Sequence, residues 1–279
     1  MKPFIIAEIG INHNGSLEIA KKLIDMAANC GCDAVKFQKR SIETIYKPDF
    51  LASPRESPWG TTQADQKKAL EFSYKEYDAI DAYCQKRRIA WFASAWDIDS
   101  LDFLKKYHLP FNKIASPMLT HQEFCAAVAQ EQKQTFIATG MSDLEQIRSV
   151  VELFKASECP FTLMHAVSIY PCLDDQCNLG MIPVLKALFD CVVGYSSHSR
   201  SWEDCVLAVS LGAVAIEKHI TLDRAMYGSD QAASLEEGGL KRLVRECQKV
   251  EGYLGDGIKR ILPEEERNAR KLRYWLEAA

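Results

Sequence analysis

The chain has 279 residues, 47% of them hydrophobic and 26% charged, a balance that argues against disorder. Thirty-four Lys and Arg against 38 Asp and Glu leave a formal charge of −4, so there is no basic field for nucleic acid or an anionic membrane. Any anionic ligand must then be held by a few local cations.

No run approaches the ~20 apolar residues of a membrane span. Four apolar residues precede Glu8, too few for a signal peptide, and a cytoplasmic protein is expected. Ten cysteines are scattered along the chain. Only Cys30/Cys32 and Cys172/Cys177 lie close together, and neither pair has a second at zinc-site spacing. Buried free thiols in a reducing compartment are the expectation.

In chain order, short β-rich runs alternate with longer runs of helical period. Strand 4–8 precedes a helix over 17–30, opened by Ser16 and closed by Gly31. Strand 34–38 leads through a turn-rich insert, 41–64, to a helix over 65–86. Strands 90–94 and 111–114 precede helices 98–107 and 122–130. Strand 134–138 precedes helix 143–156, where Ser142 and Glu145 read as a capping box. Strands 161–164 and 191–194 precede helices 179–188 and 202–211, the latter opened by Ser201 and closed by Gly212. Strand 214–218 is followed by a long loop, 220–238, and a helix over 239–253. A charged tail, 255–279, is expected to pack against the barrel or a partner.

Eight β-then-α units predict a single α/β domain over 1–279, a (β/α)8 TIM barrel. A doubly wound sheet fits less well, because no Gly-x-Gly-x-x-Gly follows any strand. Gly10 and Gly15 have the spacing of a phosphate-binding loop, but the Lys-Ser/Thr that should follow is missing.

The strand ends carry the chemistry. In order they present Glu8, Lys36 with Gln38, Ser94, Lys113 with Ser116, Thr139, His165 with Ser168, Ser196 with His198, and His219. A Lys or Ser at one strand end is usually a solvated surface residue, so the signal is eight such groups at one rim. Lys36 and Lys113, with hydroxyls from Ser94, Ser116, Ser168 and Ser196, suit a small polyanion carrying phosphate and carboxylate. His198 and His219 end neighbouring strands; they read either as ligands of one divalent ion or as two structural histidines. Glu8 either moves a proton near that ion or is a salt-bridge partner for a lysine. His165 reads as a buried, hydrogen-bonded histidine, His108 and His121 as surface or capping residues, and Trp91 as core. His13 and Trp96 are left unassigned.

The joint motif set is that of a known family. Residues 7–15 (AEIGINHNG), 35–38 (VKFQ), 113–116 (KIAS), 139–141 (TGM), 169–171 (IYP), 194–198 (GYSSH), 217–223 (EKHITLD) and 228–236 (GSDQAASLE) resemble the sialic acid synthase (N-acetylneuraminate synthase) family over about 4–265. The resemblance implies a (β/α)8 enzyme that condenses phosphoenolpyruvate with an N-acylmannosamine-type aldose, or its 6-phosphate, giving a 2-keto-3-deoxy nonulosonate and phosphate. It implies phosphoenolpyruvate contacts at Lys36, Ser94, Lys113, Ser116, Ser168 and Ser196, and acceptor contacts at Gln38, Tyr170 and Asp230. His198 and His219 would be ligands of a divalent metal, Mn²⁺ with Mg²⁺ or Co²⁺ as alternatives. Glu8, Lys36, Lys113, His198 and His219 form the implied catalytic set, in a homodimer. Two departures stand out. Many members carry an acidic residue where this chain has Met118, and most continue into an antifreeze-like domain, whereas this chain stops at Ala279.

Two other readings fit the residues. One is a Schiff-base aldolase or lyase on 2-keto-3-deoxy sugar acids, with Lys36 or Lys113 as nucleophile. The other is a non-catalytic sugar-acid binding protein.

Overall fold

Eight strands pair in parallel and close on themselves in the computed structural model, which describes residues 2–276. They are β1 (Phe4–Gly10), β2 (Ala34–Lys39), β3 (Ala90–Ala95), β4 (Phe111–Ile114), β5 (Gln134–Ala138), β6 (Phe161–Ala166), β7 (Val193–Ser197) and β8 (Ala215–His219). Each pairs with the next in sequence, and β8 pairs back to β1, with Glu8 in register with His219. This is the predicted (β/α)8 barrel.

Side-chain alternation divides each strand between the barrel interior and the helix layer. Two residues before Ser94 and Lys113 stand Phe92 and Phe111, and with Phe4 and Phe136 they form an aromatic plug. Ring centroids are 5.2 Å apart for Phe4 and Phe111, 5.5 Å for Phe92 and Phe111, and 5.8 Å for Phe92 and Phe136. The plug closes the barrel below the polar strand ends, so a ligand can enter only from the opposite mouth.

Local signals explain most helix ends. Ser16 caps Leu17–Cys30 by accepting from the Ile19 amide, and Gly31 ends it with φ 83°. The cap of Leu144–Ala156 is Asp143 with Gln146, not Ser142 with Glu145: the Asp143 carboxylate accepts from both the Glu145 and Gln146 amides. Ser201 lies one residue outside the cap of Glu203–Ser210, although its hydroxyl still accepts from the Glu203 amide.

The run expected as one helix over 65–86 is two, Gln63–Ala69 and Tyr74–Arg87. Ser73 and Glu76 form a capping box that starts the second helix. The break lets Leu70 and Phe72 enter the core while Glu71 turns back to Arg40. The insert carries two short helices and a hairpin of Pro54–Ser57 with Gly60–Thr62.

The tail does not pack against the barrel: residues 255–275 are exposed except half-buried Ala269, including all the rest of the helix Pro263–Leu272. All ten cysteines are free thiols, and all but Cys191 are buried. Among the described residues, no helix is long and apolar enough to cross a membrane.

The plug yields a stability test. Phe92→Ala empties its centre and is expected to lower the unfolding free energy by about 3–5 kcal/mol. The readout is a lower urea midpoint at unchanged slope.

Candidate active site

A cavity of about 310 Å³ opens at the C-terminal mouth of the barrel, and all twelve residues expected to form a site line it. Glu8, Gln38, Lys36, Ser94 and Lys113 come from β1 to β4, and Ser196 and His219 from β7 and β8. Ser116, Ser168, Tyr170, His198 and Asp230 come from the loops that follow strands. Two other strand-end groups do not reach it. Thr139 bonds the Met164 carbonyl, and His165 is held by the Cys177 carbonyl at 2.9 Å, the buried role expected for it.

The floor of the cavity is a layer of buried charge. Lys36 Nζ lies 3.0 Å from Glu8 Oε2 and 3.3 Å from Glu217 Oε1, and Lys113 Nζ lies 3.4 Å from Glu217 Oε2. Ser196 donates to the same Glu217 carboxylate at 3.2 Å, and Gln38 donates to Glu8 at 3.0 Å. Glu217 was absent from the predicted site. Its signal was available, since it stands two residues before His219 on one strand and therefore shares its face. Glu8 pairs with Lys36, one of the two roles expected for it, and it also lines the cavity.

Burial sets the protonation of this layer. It pushes Lys113 down to about 8, against the pull of Glu217. Burial alone would raise Glu217, but Lys113 and Lys36 outweigh it and hold the carboxyl at about 2. Burial raises the pKa of Glu8, with Lys36 opposing. Lys36 stays charged: burial lowers it, but Glu217 and Glu8 more than compensate.

Two glycines make room above this floor. Gly10 sits at a β-bulge with φ 52°, and a Cβ there would stand 3.0 Å from Glu8 Oε1 and 3.2 Å from Gln38 Nε2. At Gly140 a Cβ would come within 2.3 Å of the Ser168 hydroxyl and 2.7 Å of the Ser116 hydroxyl. Both hydroxyls therefore converge on space that any other residue would fill. Pro117 lines the cavity beside them, whereas Met118 is buried in the core, so this chain has no carboxylate at that turn.

The imidazoles of His198 and His219 stand together at the cavity, with ring centroids 5.7 Å apart. His198 donates from Nδ1 to the Val167 carbonyl at 2.7 Å, which leaves Nε2 as the lone-pair nitrogen. Nε2 accepts from the Tyr170 hydroxyl at 2.8 Å. Burial pushes His198 down to about 3, with His219 adding to the shift. His219 Nδ1 is buried without a hydrogen-bond partner, 3.9 Å from Asp230 Oδ2. Neutral imidazoles with one orphaned ring nitrogen fit a divalent cation. Among the described residues, no group of three or more His, Cys, Asp or Glu that could hold a metal ion is gathered.

Other residues settle into structural roles. His13, pushed down to about 3 by burial and by Arg40, stacks on Phe72 at 4.0 Å. His121 caps the helix Gln122–Gln130, and Trp91 is core. Trp96 lines the cavity.

Comparison with known proteins finds matches over most of the chain. The NeuB family model matches residues 23–259. The chain is 37% identical over 263 residues to human N-acetylneuraminate-9-phosphate synthase, covering 93% of this chain and 73% of that protein. It is 34% identical over 283 residues to N,N'-diacetyllegionaminic acid synthase of Campylobacter jejuni, covering 99% and 85%. A crystal structure of N-acetylneuraminic acid synthetase from Leptospira borgpetersenii, in complex with citrate, superposes with a TM-score of 0.86 at 32% identity, covering 98% and 93%.

The charge layer is itself testable. Glu217→Gln leaves two buried lysines sharing Glu8 and is expected to destabilise the fold by about 3–5 kcal/mol, read from urea unfolding. Adding Lys113→Met removes the uncompensated charge and is expected to recover part of that loss.

Proposed function

The chain belongs to the NeuB family, as an enzyme of the sialic acid synthase type, and on that footing we propose its reaction. It joins phosphoenolpyruvate to an N-acylmannosamine-type aldose and releases phosphate. The observation that carries the reading is the convergence of two lysines, four serines and two imidazoles on one cavity above a closed barrel floor.

Lys36 and Lys113 bind the phosphate and carboxylate of phosphoenolpyruvate by charge-assisted hydrogen bonds, and Ser116 and Ser168 close over it above Gly140. Ser94 and Ser196 add neutral donors at the floor. Gln38, Tyr170 and Asp230 orient the acceptor so that its aldehyde carbon meets C3 of the enol. The new bond joins those two carbons, water adds at C2, and the C2–O bond to phosphate breaks, leaving a 2-keto acid. Glu8, held by Gln38, is placed to take the proton of the water or to supply one to the acceptor oxygen.

His198 and His219 are the residues that would hold a divalent metal, Mn²⁺ or a similar ion, which supplies Lewis-acid polarisation of a bound oxygen. Charge supports this. Lys36 and Lys113 are already balanced by Glu8 and Glu217, so a polyanionic substrate brings charge that the floor alone does not offset. The Schiff-base reading is weaker, because both lysines are tied to Glu217 and the imidazole pair has no part in it.

Two measurements test the proposal. A chelator should abolish phosphate release and added Mn²⁺ should restore it, whereas His219→Ala should stay inactive with Mn²⁺ present. Full activity of chelated, metal-free protein would remove the metal from the scheme. Lys113 loses its proton as pH rises through about 8, so kcat/KM for phosphoenolpyruvate should fall above that pH. A profile flat to pH 10 would show that Lys113 is not the binding cation.

A further inference from the structure

The condensation uses the floor and one wall of the cavity, but its outer part holds charge without a role. Lys36, Gln38 and Arg40 follow one another at two-residue steps along and just beyond β2, and all three line the cavity. At ~3.3 Å per residue, Arg40 stands roughly 13 Å further along the chain than Lys36. Arg40 is 5% exposed. Its Nε donates to Glu71 at 2.6 Å, but its Nη2 is buried with no partner.

Lys67, from the helix after the insert, lines the same part of the cavity. Among the described residues, it has no carboxylate partner. Burial lowers its pKa, and Arg40 and Arg55 repel it further, against some attraction from Asp230. Glu71 is shared between Arg40 and Lys39. Trp96, 5.9 Å from the Arg40 guanidinium, also faces the cavity and has a buried indole N–H without an acceptor. Arg40 and Lys67, with the unpartnered Arg40 Nη2 and Trp96 indole N–H beside them, give the outer part of the cavity donors and charge suited to an anion.

We propose that Arg40 and Lys67 hold a phosphate ester at the far end of the acceptor, so that this chain takes a 6-phosphorylated N-acylmannosamine in preference to the neutral sugar. The inference rests on the synthase reading. In that reaction the aldehyde carbon lies against the enol near the floor. Carbon 6 is the end of the six-carbon chain furthest from it, and so points to the outer cations. A planar guanidinium with a free edge and a mobile ammonium suit a phosphate dianion better than a hydroxymethyl group.

The test is phosphate release from phosphoenolpyruvate by the full chain with Mn²⁺, using N-acetylmannosamine and N-acetylmannosamine 6-phosphate in turn. The phosphorylated sugar should have a kcat/KM about 100-fold higher or more. Lys67→Ala should cut the ratio of the two kcat/KM values by about tenfold, and Lys67→Glu by more. A merely structural role would lower both values alike and leave the ratio unmoved. Equal or better use of the neutral sugar overturns the proposal, as does a ratio untouched by Lys67→Glu. No turnover of either sugar by folded protein would instead defeat the synthase reading. Direct titration of the sugar 6-phosphate then still decides the outer site. Binding that Lys67→Glu abolishes supports it; no binding, or equal binding by both proteins, overturns it.

Discussion

Everything at the mouth of this barrel depends on one carboxylate. Glu217 lies between Lys36 and Lys113 and lets two ammonium groups stay buried at the barrel mouth. Taking such ions out of water costs several kcal/mol each, and only close pairing offsets it. The pairing also fixes their positions before any ligand arrives. A cation that is already desolvated and aimed need not reorganise when an anion enters, and in a low-dielectric cavity its attraction is strong.

The rest of the barrel protects that arrangement. The aromatic plug of Phe4, Phe92, Phe111 and Phe136 closes the space beneath it, so the charges face only one opening. Gly140 clears the space into which two serine hydroxyls point, and Gly10 allows the bulge that aims Glu8 and Gln38 at each other. The Val167 carbonyl sets the tautomer of His198 and leaves its other nitrogen to accept from the Tyr170 hydroxyl. Three kinds of group, cationic, hydroxylic and imidazole, thus meet around one volume with little freedom to drift apart.

The strand ends were legible because a barrel turns strand order into position. Once eight β-then-α units were recognised, the strand ends lay at one mouth, and most of the polar residues named there line the cavity, Thr139 and His165 excepted. Features that depend on reach were harder to read. Ser142 and Asp143 are both good caps, and the choice fell to the side chain that meets two amides. The periodic run over 65–86 gave no hint that Glu71 would be drawn to Arg40 and the helix broken there, although the Ser73 and Glu76 capping signal was present. Met118 read as a missing acid, and its burial in the core turns that gap into a packing position.

Periodicity, caps and strand order were enough to predict a (β/α)8 barrel and ten residues at its mouth, and the family resemblance added Tyr170 and Asp230. The first three carry that information because alternation on a strand and order around a closed sheet are local rules. Which acid pairs with which base is not local. Glu217 meets Lys36 and Lys113 across some 181 and 104 positions of sequence, numbers that follow from their places in the chain. Arg40 and Lys67 converge only because the chain returns to the mouth after the insert. Packing alone assigned these partners, because the energy of a buried charge depends on what surrounds it in space.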